Sequence, residues 1–363
     1  MSILGLARPD IRAMQPYSSA RTEEAVGSTW LNANESPWPP FGADTTWNRY
    51  PDPQPAALIR RLAQLYGVGT DQLLVGRGSD EGIDLLVRAF CTADRDAILI
   101  SPPTFGMYAV CARVQNAGIV EVPLRRDCTL DIDAIRSAVN PAVKIVFACA
   151  PNNPTGAGTP RTTLLELASS LSGRALLVVD EAYVEFAEPG ETFASVASSV
   201  GALDNLIVLR TLSKAWALAG IRIGALLAKP EVINLLRRIM PPYPLPAPCV
   251  DAALRALSDA GALTMEERCS QTRRERKRMR IALARLACVR EVLPSQANFL
   301  TVRFHDAGAA WQALRDAGVV ARDVRRHPGL CDALRITLGT PAENDLVVTR
   351  LHAVGADRVA SPA

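Results

Sequence analysis

Lys214 stands out among the residues that could do chemistry, because the chain of 363 residues holds 36 arginines and only four lysines. It follows the apolar run LIVLRT (206–211), so it projects from the edge of a predicted sheet. The other three lie at a strand start, before a proline and in an arginine-rich run, and each predicts a solvated charge (Lys144, Lys229 and Lys277). A partly desolvated lysine can have a lowered pKa and form a Schiff base with a carbonyl. Lys214 is therefore the candidate nucleophile.

Asp180 ends the wholly apolar run ALLVVD, which predicts a carboxylate at the end of a buried strand. Burying a charged carboxylate is unfavourable unless a partner compensates the charge. The candidate partners are an arginine, a metal ion or a protonated heterocyclic nitrogen. No metal-ligand spacing lies nearby, which disfavours the metal, and a helix N-cap is the alternative that needs no ligand.

Two further segments carry polar groups at strand ends. GRGSDEG (76–82) joins a strand to a helix, where free backbone amides and glycine allow close approach of a phosphate. It matches neither the P-loop nor the GxGxxG fingerprint, and on its own it also fits a tight turn. APNNPTG (150–156) follows the run KIVFACA and places the amide of Asn153 at the sheet edge, although its proline and glycine also fit a plain turn.

These four features together suit one cofactor. A phosphate site, an amide, a buried carboxylate and a lysine occur in this order at strand ends, where ligands bind in open α/β sheets. Pyridoxal phosphate needs an anchor for its phosphate, a hydrogen bond to its ring oxygen, a carboxylate for its ring nitrogen and a lysine for its aldehyde. The arrangement therefore predicts a pyridoxal-phosphate site.

The elements that position these residues follow from hydrophobic patterning. Strand-like apolar runs alternate with helical patterns, at 97–101, 119–124, 144–150, 175–180, 206–211 and 223–228. This alternation predicts a sheet covered by helices on both faces. The segment PPYPLPAPCV (241–250) holds five prolines and predicts a junction between domains. A long arginine-rich helix with a solvated face (about 250–286) and a smaller α+β unit, with strands at 298–304, 319–324 and 333–338, are predicted after it.

Composition excludes several classes of protein. The length suggests about two domains. A net charge of +3 gives no basis for binding nucleic acid or a membrane surface. No apolar run approaches the ~20 residues that span a bilayer, and the N-terminus lacks a secretory pattern, so a cytoplasmic protein is expected. Eight cysteines without a CxxC pair and three histidines predict no metal site.

The motifs NPTG, DEAY and TLSKAWALAGIRIG, spaced as they are, resemble fold-type I pyridoxal-phosphate aminotransferases of the aspartate aminotransferase superfamily. More narrowly, the chain resembles the histidinol-phosphate aminotransferase family from about Asp10 to Val354, in LNANESP, NRYPDPQP, GRGSDEGIDLLVRAFC, SPPTFGMY, EVINLLRRIMPPYPLP and ALRITLGT. The resemblance implies an α/β fold: a large domain with a mostly parallel seven-stranded sheet sandwiched by helices, and a smaller α+β domain. The implied division is an arm associated with the small domain (1–30), a cofactor-binding domain (31–245) and a small domain (246–363).

The resemblance also implies roles around the cofactor. Lys214 would hold the aldehyde of pyridoxal phosphate and later carry the substrate proton, while Asp180 would pair with the ring nitrogen. Tyr183 and Asn153 would hydrogen-bond the ring oxygen, and Phe105 would stack on the ring. The cofactor phosphate would be held by a set of polar side chains, Ser79, Asp80, Thr211, Ser213 and Arg222. Tyr50 would reach the cofactor of the partner subunit, which implies a homodimer with shared sites.

The implied reaction is transamination between L-histidinol phosphate and 2-oxoglutarate, which gives imidazole-acetol phosphate and L-glutamate in histidine biosynthesis. Arg335 would clamp the amino-acid carboxylate, since its planar fork matches that group. Arg322, Tyr17 and Asn34 would contribute to the site for the substrate phosphate. Aromatic amino-acid aminotransferases and threonine-phosphate decarboxylases are alternatives on the same fold. A ligand-sensing regulator is an alternative of another class, although the enzyme-like pattern begins within 30 residues and leaves no room for a DNA-binding domain.

Overall fold

The larger sheet has seven strands in the order β1-β7-β6-β5-β4-β2-β3, in a computed structural model that describes residues 3–17, 29–42 and 46–359. Strands β2 to β6 pair in parallel, whereas β7 runs antiparallel to its two neighbours, β1 and β6. The strands are β1 Leu73–Gly76, β2 Ala97–Ile100, β3 Gly118–Glu121, β4 Val143–Cys149, β5 Leu176–Asp180, β6 Leu206–Thr211 and β7 Gly224–Leu227.

Helices cover both faces of this sheet, as the apolar runs predict. Val146 and Ala148 of β4 pack into one core, and Ile145 and Phe147 into the other, because successive side chains of a strand point to opposite faces. The first core takes its helical side chains from α2 Ala56–Tyr66, α5 Ile132–Ala138 and α6 Arg161–Ser170. The second takes them from α1 Pro9–Ala13, α3 Ser79–Phe90, α4 Met107–Val114 and α7 Pro230–Arg237.

The smaller sheet is antiparallel, with four strands in the order β10-β11-β9-β8. These are β8 Val289–Val292, β9 Phe299–Phe304, β10 Arg322–Asp323 and β11 Ala333–Thr337. The helices of this part are α8 Ala247–Ala256, α9 Asp259–Ala284, α10 Ala307–Asp316 and α11 Pro341–Val359. A separate core joins α9, α10 and α11 to the sheet through Met279, Leu283, Phe304, Leu314 and Leu351. Where the chain divides into domains stays a prediction.

The structure corrects three expectations about elements. The helix predicted over about 250–286 is two helices, because Ser258 leaves the helical conformation and its Oγ accepts a hydrogen bond from Gly261 N at 3.2 Å, which caps α9. The strand predicted at 319–324 is reduced to the two residues of β10. Of the predicted arm 1–30, residues 3–13 pack against α3 and α7 of the larger sheet layer, where Ile3 and Ile11 are buried, rather than against the smaller sheet.

The arginine-rich helix α9 has the predicted solvated face, but one of its arginines is buried. Arg276 is 3% exposed, donates hydrogen bonds to the carbonyls of Phe186 (2.7 Å) and Ala297 (2.9 Å), and pairs with Glu188 at 2.7 Å. Its neighbours Arg274 and Arg280 are exposed. Arg276 therefore ties α9 to the segment that follows β5. No helix in the described ranges combines the length and apolar character that crossing a bilayer requires.

Candidate active site

A cavity of about 630 Å³ opens where β4, β5 and β6 end, between the larger sheet and strands β10 and β11. Twelve of the fifteen predicted site residues line it, namely Ser79, Asp80, Phe105, Asn153, Asp180, Tyr183, Thr211, Ser213, Lys214, Arg222, Arg322 and Arg335. Cys149, Met107, Val324 and His327 also line it and carry no predicted role. Because parallel strands end at one edge of the sheet, residues far apart in the sequence meet here.

One end of the cavity is built to bind an anion. Helix α3 begins at Ser79, and no described side chain caps its amides, since the N-cap is Gly78 at φ 81°. Arg222 donates to Asp80 Oδ2 at 3.2 Å and to Ser213 Oγ at 3.3 Å. Glycine is favoured at position 78 because of this positive φ, and a Cβ there would also lie 2.7 Å from the Arg222 guanidinium and displace it. Free helix amides beside an arginine suit a phosphate group.

Asp180 lies at the end of β5 and is almost fully buried. Its Oδ1 accepts a hydrogen bond from Ala182 N at 3.1 Å, and its Oδ2 accepts one from the Tyr108 hydroxyl at 2.8 Å. Burial raises the pKa of Asp180 to about 6, and the hydrogen bond from Tyr108 opposes that rise. No cation lies within ion-pair distance of Asp180 among the described residues. The site therefore suits a ligand that brings a positive charge.

Tyr108 is a residue of the site that the sequence did not reveal. It lies on α4, is 0% exposed, and stacks on Phe147 with ring centroids 4.5 Å apart. Its hydroxyl is the one side-chain donor to Asp180 in the described part of the chain. Nothing in the spacing of Tyr108 separates it from a core aromatic on an amphipathic helix, so only the folded structure shows the contact.

Lys214 follows β6 and faces the cavity, with its Nζ 5.8 Å from the ring centroid of Tyr183. The surrounding protein desolvates the ammonium and lowers the pKa of Lys214, and the positive charges of Arg335 and Arg222 act in the same direction. The other lysines each lie within 4 Å of a carboxylate, on Asp96, Asp204 and Glu188, whereas Lys214 has none so close among the described residues. A larger share of neutral amine makes Lys214 the better nucleophile.

Arg335 of β11 crosses from the smaller sheet into the cavity. Its Nη1 donates a hydrogen bond to Asn153 Oδ1, which leaves the amide hydrogens of Asn153 as donors toward the cavity. Arg335 Nε is buried without a hydrogen-bond partner among the described residues. A buried unsatisfied donor is unfavourable, so Arg335 is suited to bind a carboxylate or phosphate oxygen.

Tyr183 and Arg322 complete the cavity at this end. Tyr183 packs edge-to-face on Phe299 with ring centroids 5.3 Å apart, and burial raises the pKa of its hydroxyl, which therefore stays a donor. Arg322 of β10 lies directly opposite Arg335 in the ladder. Two arginines on one wall, with Lys214 near them, make this end of the cavity strongly positive.

Three predicted site residues lie outside the cavity formed by one chain. Tyr50 is 48% exposed and stacks on Tyr243 with ring centroids 4.4 Å apart. Tyr17 is exposed and lines a second depression, beside Arg237 and Arg238. Asn34 is exposed, with φ 54°. No group of three or more His, Cys, Asp or Glu side chains within the described ranges is placed to hold a metal ion.

The chain belongs to the family of class I and II aminotransferases, whose family model matches residues 17–351. It is 52% identical over 359 residues to the histidinol-phosphate aminotransferase of Xanthomonas campestris pv. campestris, with 97% of each chain covered. The enzyme of that name from Xylella fastidiosa is 50% identical over 367 residues, which cover all of this chain and 98% of the relative.

Solved structures give the same result. The chain superposes on histidinol-phosphate aminotransferase from Sinorhizobium meliloti, solved in complex with pyridoxal-5′-phosphate, with a TM-score of 0.77 and 27% identity. That alignment covers 85% of this chain and 83% of the other. The predicted fold and the predicted family are therefore confirmed.

Proposed function

We propose that the chain transfers the amino group between L-histidinol phosphate and 2-oxoglutarate, giving imidazole-acetol phosphate and L-glutamate, in histidine biosynthesis. The observation that carries the proposal is the single cavity in which Lys214 lies between an anion site at the start of α3 and the arginine pair Arg322 and Arg335. The names of the full-length relatives support the choice of substrate.

The residues present fit pyridoxal phosphate as the cofactor. Three separate observations match its three polar parts: α3 has an uncapped N-terminus, Asp180 is buried without a cation, and Lys214 lacks a close carboxylate among the described residues. The phosphate would be held by Ser79, Asp80, Thr211, Ser213 and Arg222. When bound, this cofactor supplies an electron-withdrawing ring that makes the Cα proton of the substrate easier to remove.

The chain's own side chains would divide the remaining work. Asp180 holds a proton on the ring nitrogen through an ion pair that also relieves its own burial. Asn153 and Tyr183 donate hydrogen bonds to the ring oxygen, and Phe105 packs on the ring. Lys214 Nζ, neutral more often than an ordinary lysine because its pKa is lowered, would accept the proton from the substrate Cα and pass it to the cofactor, and would carry it in the opposite direction in the second half-reaction.

In a ping-pong scheme the two half-reactions alternate, so both substrates must use the same anion pocket in turn. Arg335 would bind the α-carboxylate of glutamate through its paired donors, including the unsatisfied Nε. Histidinol phosphate lacks a carboxylate, so its phosphate would occupy the space between Arg322 and Arg335. Tyr17 and Asn34 remain predicted contributors that would have to reach the pocket from outside the cavity of their own chain.

The functional assembly that we propose is a homodimer with shared sites. Tyr50 and its neighbours Trp38, Phe41 and Trp47 are exposed aromatic side chains in one segment of the chain. Exposed aromatic clusters of this kind are typical of interfaces. In the dimer Tyr50 would reach the phosphate of the partner subunit's cofactor. We also propose a cytoplasmic location, because all eight cysteines are free thiols, as is usual in a reducing compartment.

A substrate comparison tests the proposed reaction. We expect kcat/KM for histidinol phosphate to exceed that for phenylalanine and for threonine phosphate by at least about 100-fold, the discrimination that paired polar contacts provide. Highest activity on phenylalanine, or carbon dioxide release from threonine phosphate, would contradict the proposal and identify the alternative.

Substitution of Lys214 tests the central residue. Lys214→Arg keeps the positive charge but cannot form the imine, so we expect it to lose activity as fully as Lys214→Ala, by about 10⁴-fold or more. Both variants should also lose the visible absorption that borohydride removes from the wild type. Wild-type turnover in either variant would disprove the role of Lys214.

A further inference from the structure

His327 lines the same cavity as the two arginines, in the segment 324–330 of the loop that connects β10 to β11. Both ends of this segment are anchored, because Val324 and Leu330 are each 1% exposed in a small apolar core. His327 N donates to the Val324 carbonyl at 2.9 Å, and Leu330 N donates to the His327 carbonyl at 3.1 Å. The backbone therefore presents the imidazole to the cavity in a fixed position.

The two carboxylates that flank this segment, Asp323 and Asp332, are already occupied, since Asp332 pairs with Arg290 and with Arg303. Asp323 accepts two hydrogen bonds from the Arg325 guanidinium, at 3.0 and 2.7 Å, and a third from the Arg325 amide at 3.0 Å. This contact holds Arg325 against Asp323 on the same loop, so Asp323 already has its counter-charge. His327 has no hydrogen bond from its ring to a described side chain.

The charges around His327 are mainly positive. Burial lowers the pKa of His327 below its usual value near 6.5, and the positive charges of Arg322 on β10 and Arg335 on β11 lower it further. The other titratable groups that line the cavity belong to the larger sheet layer: Asp80, Cys149, Asp180, Tyr183, Lys214 and Arg222. The imidazole is consequently neutral at pH 7 while the pocket contains no anion.

We propose that His327 is a third anion-binding side chain of this pocket and that it favours the phosphomonoester substrate over the carboxylate substrate. The inference rests on the proposed function, in which the pocket receives both substrates in turn. A neutral imidazole offers one N–H donor, and a protonated one offers two donors and a positive charge. His327 thus adds to the two guanidinium groups a donor whose charge can change.

The two substrates differ in charge at this point. A phosphomonoester carries about −1.5 to −2 at pH 7, whereas a carboxylate carries −1. The larger charge stabilises protonated His327 more strongly, so binding of the phosphate takes up a proton from the solvent. When the phosphate product leaves and 2-oxoglutarate enters, the same proton returns to the solvent. The two arginines alone, whose charges are fixed, provide no such adjustment.

The direction of the pH dependence follows from linkage. Because phosphate binding raises the pKa of His327, the affinity for the phosphate increases as pH falls from about 8.5 to about 6.5. Below about pH 6 the phosphomonoester itself gains a proton and the trend reverses. Affinity for glutamate should change less over the same range, since a single negative charge raises the pKa of His327 less.

The test uses the holoenzyme and the variant His327→Gln, which keeps hydrogen-bonding groups but cannot titrate. In the wild type, we expect the KM ratio of glutamate to histidinol phosphate to rise several-fold between pH 8.5 and pH 6.5; in His327→Gln, this ratio should stay flat. His327→Ala should raise KM for histidinol phosphate by about tenfold or more, the effect of one lost hydrogen bond to a charged group, with a smaller change for glutamate. His305→Gln, at an exposed histidine outside the cavity, is the matched control and should behave as wild type.

A binding measurement separates this inference from the proposed reaction. Calorimetric titration of the holoenzyme with inorganic phosphate, in two buffers of different ionisation enthalpy, reports the proton uptake directly. We expect the wild type to take up protons when phosphate binds, and we expect His327→Gln to lose this uptake. Equal uptake in both proteins, or a pH-dependent KM ratio that persists in His327→Gln, would overturn the role of His327. If the wild type fails to turn over histidinol phosphate, the proposed reaction fails, and the calorimetric result still decides whether His327 binds anions.

Discussion

Asp180 and Lys214 show how burial prepares two residues of opposite charge for the same ligand. Burial raises the pKa of Asp180 to about 6 and lowers that of Lys214, so both groups move toward their neutral forms in the protein alone. Each then gains more from a ligand that supplies what it lacks: a cation beside Asp180 and a carbonyl beside Lys214. Residue type and strand-end position were enough to predict both.

Tyr108 provides a prediction at the residue scale. Its hydrogen bond lowers the pKa of Asp180, so Tyr108→Phe should raise that pKa above about 6 and begin to protonate the carboxylate at higher pH. Binding of pyridoxal phosphate to the apoprotein, which needs ionised Asp180, should weaken by about tenfold at pH 6 and less at pH 8. Fluorescence titration of the apoprotein with the cofactor measures this effect.

Tyr66→Phe is the matched control for that experiment. Tyr66 is also a buried tyrosine, but its hydroxyl has no hydrogen-bond partner among the described residues. Loss of the Tyr66 hydroxyl should therefore leave both the affinity for the cofactor and the pH dependence of that affinity as in the wild type. The same shift in both variants would mean that a lost hydroxyl in the core, rather than the contact with Asp180, causes the change.

At the scale of elements, the start of α3 depends on its packing against β7. Gly224 of β7 faces the backbone of Gly78 and Ser79 so closely that an added Cβ would clash with both. The only antiparallel strand of the larger sheet thus supports the turn whose amides form the anion site. The sequence predicts this glycine turn, but it does not show which strand lies beneath it.

Gly224→Ala tests this packing. The clash involves backbone rather than a mobile side chain, so we expect the free energy of unfolding to fall by about 1–3 kcal/mol and the affinity for pyridoxal phosphate to fall at least tenfold. Gly220→Ala, at a glycine with open space around its Cβ position, is the control and should match the wild type. Urea unfolding and cofactor titration provide the two measurements. Unchanged cofactor affinity in Gly224→Ala would show that the packing of β7 against the start of α3 does not support the anion site.

Element types were predicted better than element ends. The strands of the larger sheet have near-continuous apolar runs, and their order along the chain predicts where the polar strand ends meet. The break at Ser258 has no proline or glycine signal at that residue, so a single helix over 250–286 fits the periodicity equally well. Tyr108 and His327 were missed for a related reason, because their contacts depend on the packing of α4 and of the segment 324–330.

At the scale of the whole molecule, two sheets contribute to one cavity and are held together by specific polar contacts. Arg276 bonds to the carbonyls of Phe186 and Ala297, and Arg335 bonds to Asn153 across the cavity. Composition predicts a solvated face on an arginine-rich helix, and it cannot show that Arg276 is buried and bonded to distant segments. The domain boundaries at 30/31 and 245/246 stay predictions.

The proposed homodimer with shared sites leads to a prediction at this scale. Tyr50→Ala and Lys214→Ala should each impair both sites of their own homodimers. A hybrid dimer with one subunit of each kind, purified with two affinity tags, should hold one intact site and recover about half of the wild-type activity. A hybrid of wild type and Lys214→Ala is the control and should also show about half. If Tyr50 served its own subunit, the Tyr50→Ala hybrid would stay near the level of its parents.

The side chains that would retain the cofactor and those that would select the substrate lie on different parts of the chain. The former lie at strand ends and on helices of the larger sheet layer, while Arg322, His327 and Arg335 all fall within 14 consecutive residues of the smaller sheet. This short hairpin can therefore diverge, or be exchanged for that of a relative, while the groups that would hold the cofactor stay in place, provided that Arg335 keeps its hydrogen bond to Asn153. Substrate preference in such a protein is modular, and the hairpin is the unit on which selection or engineering can act.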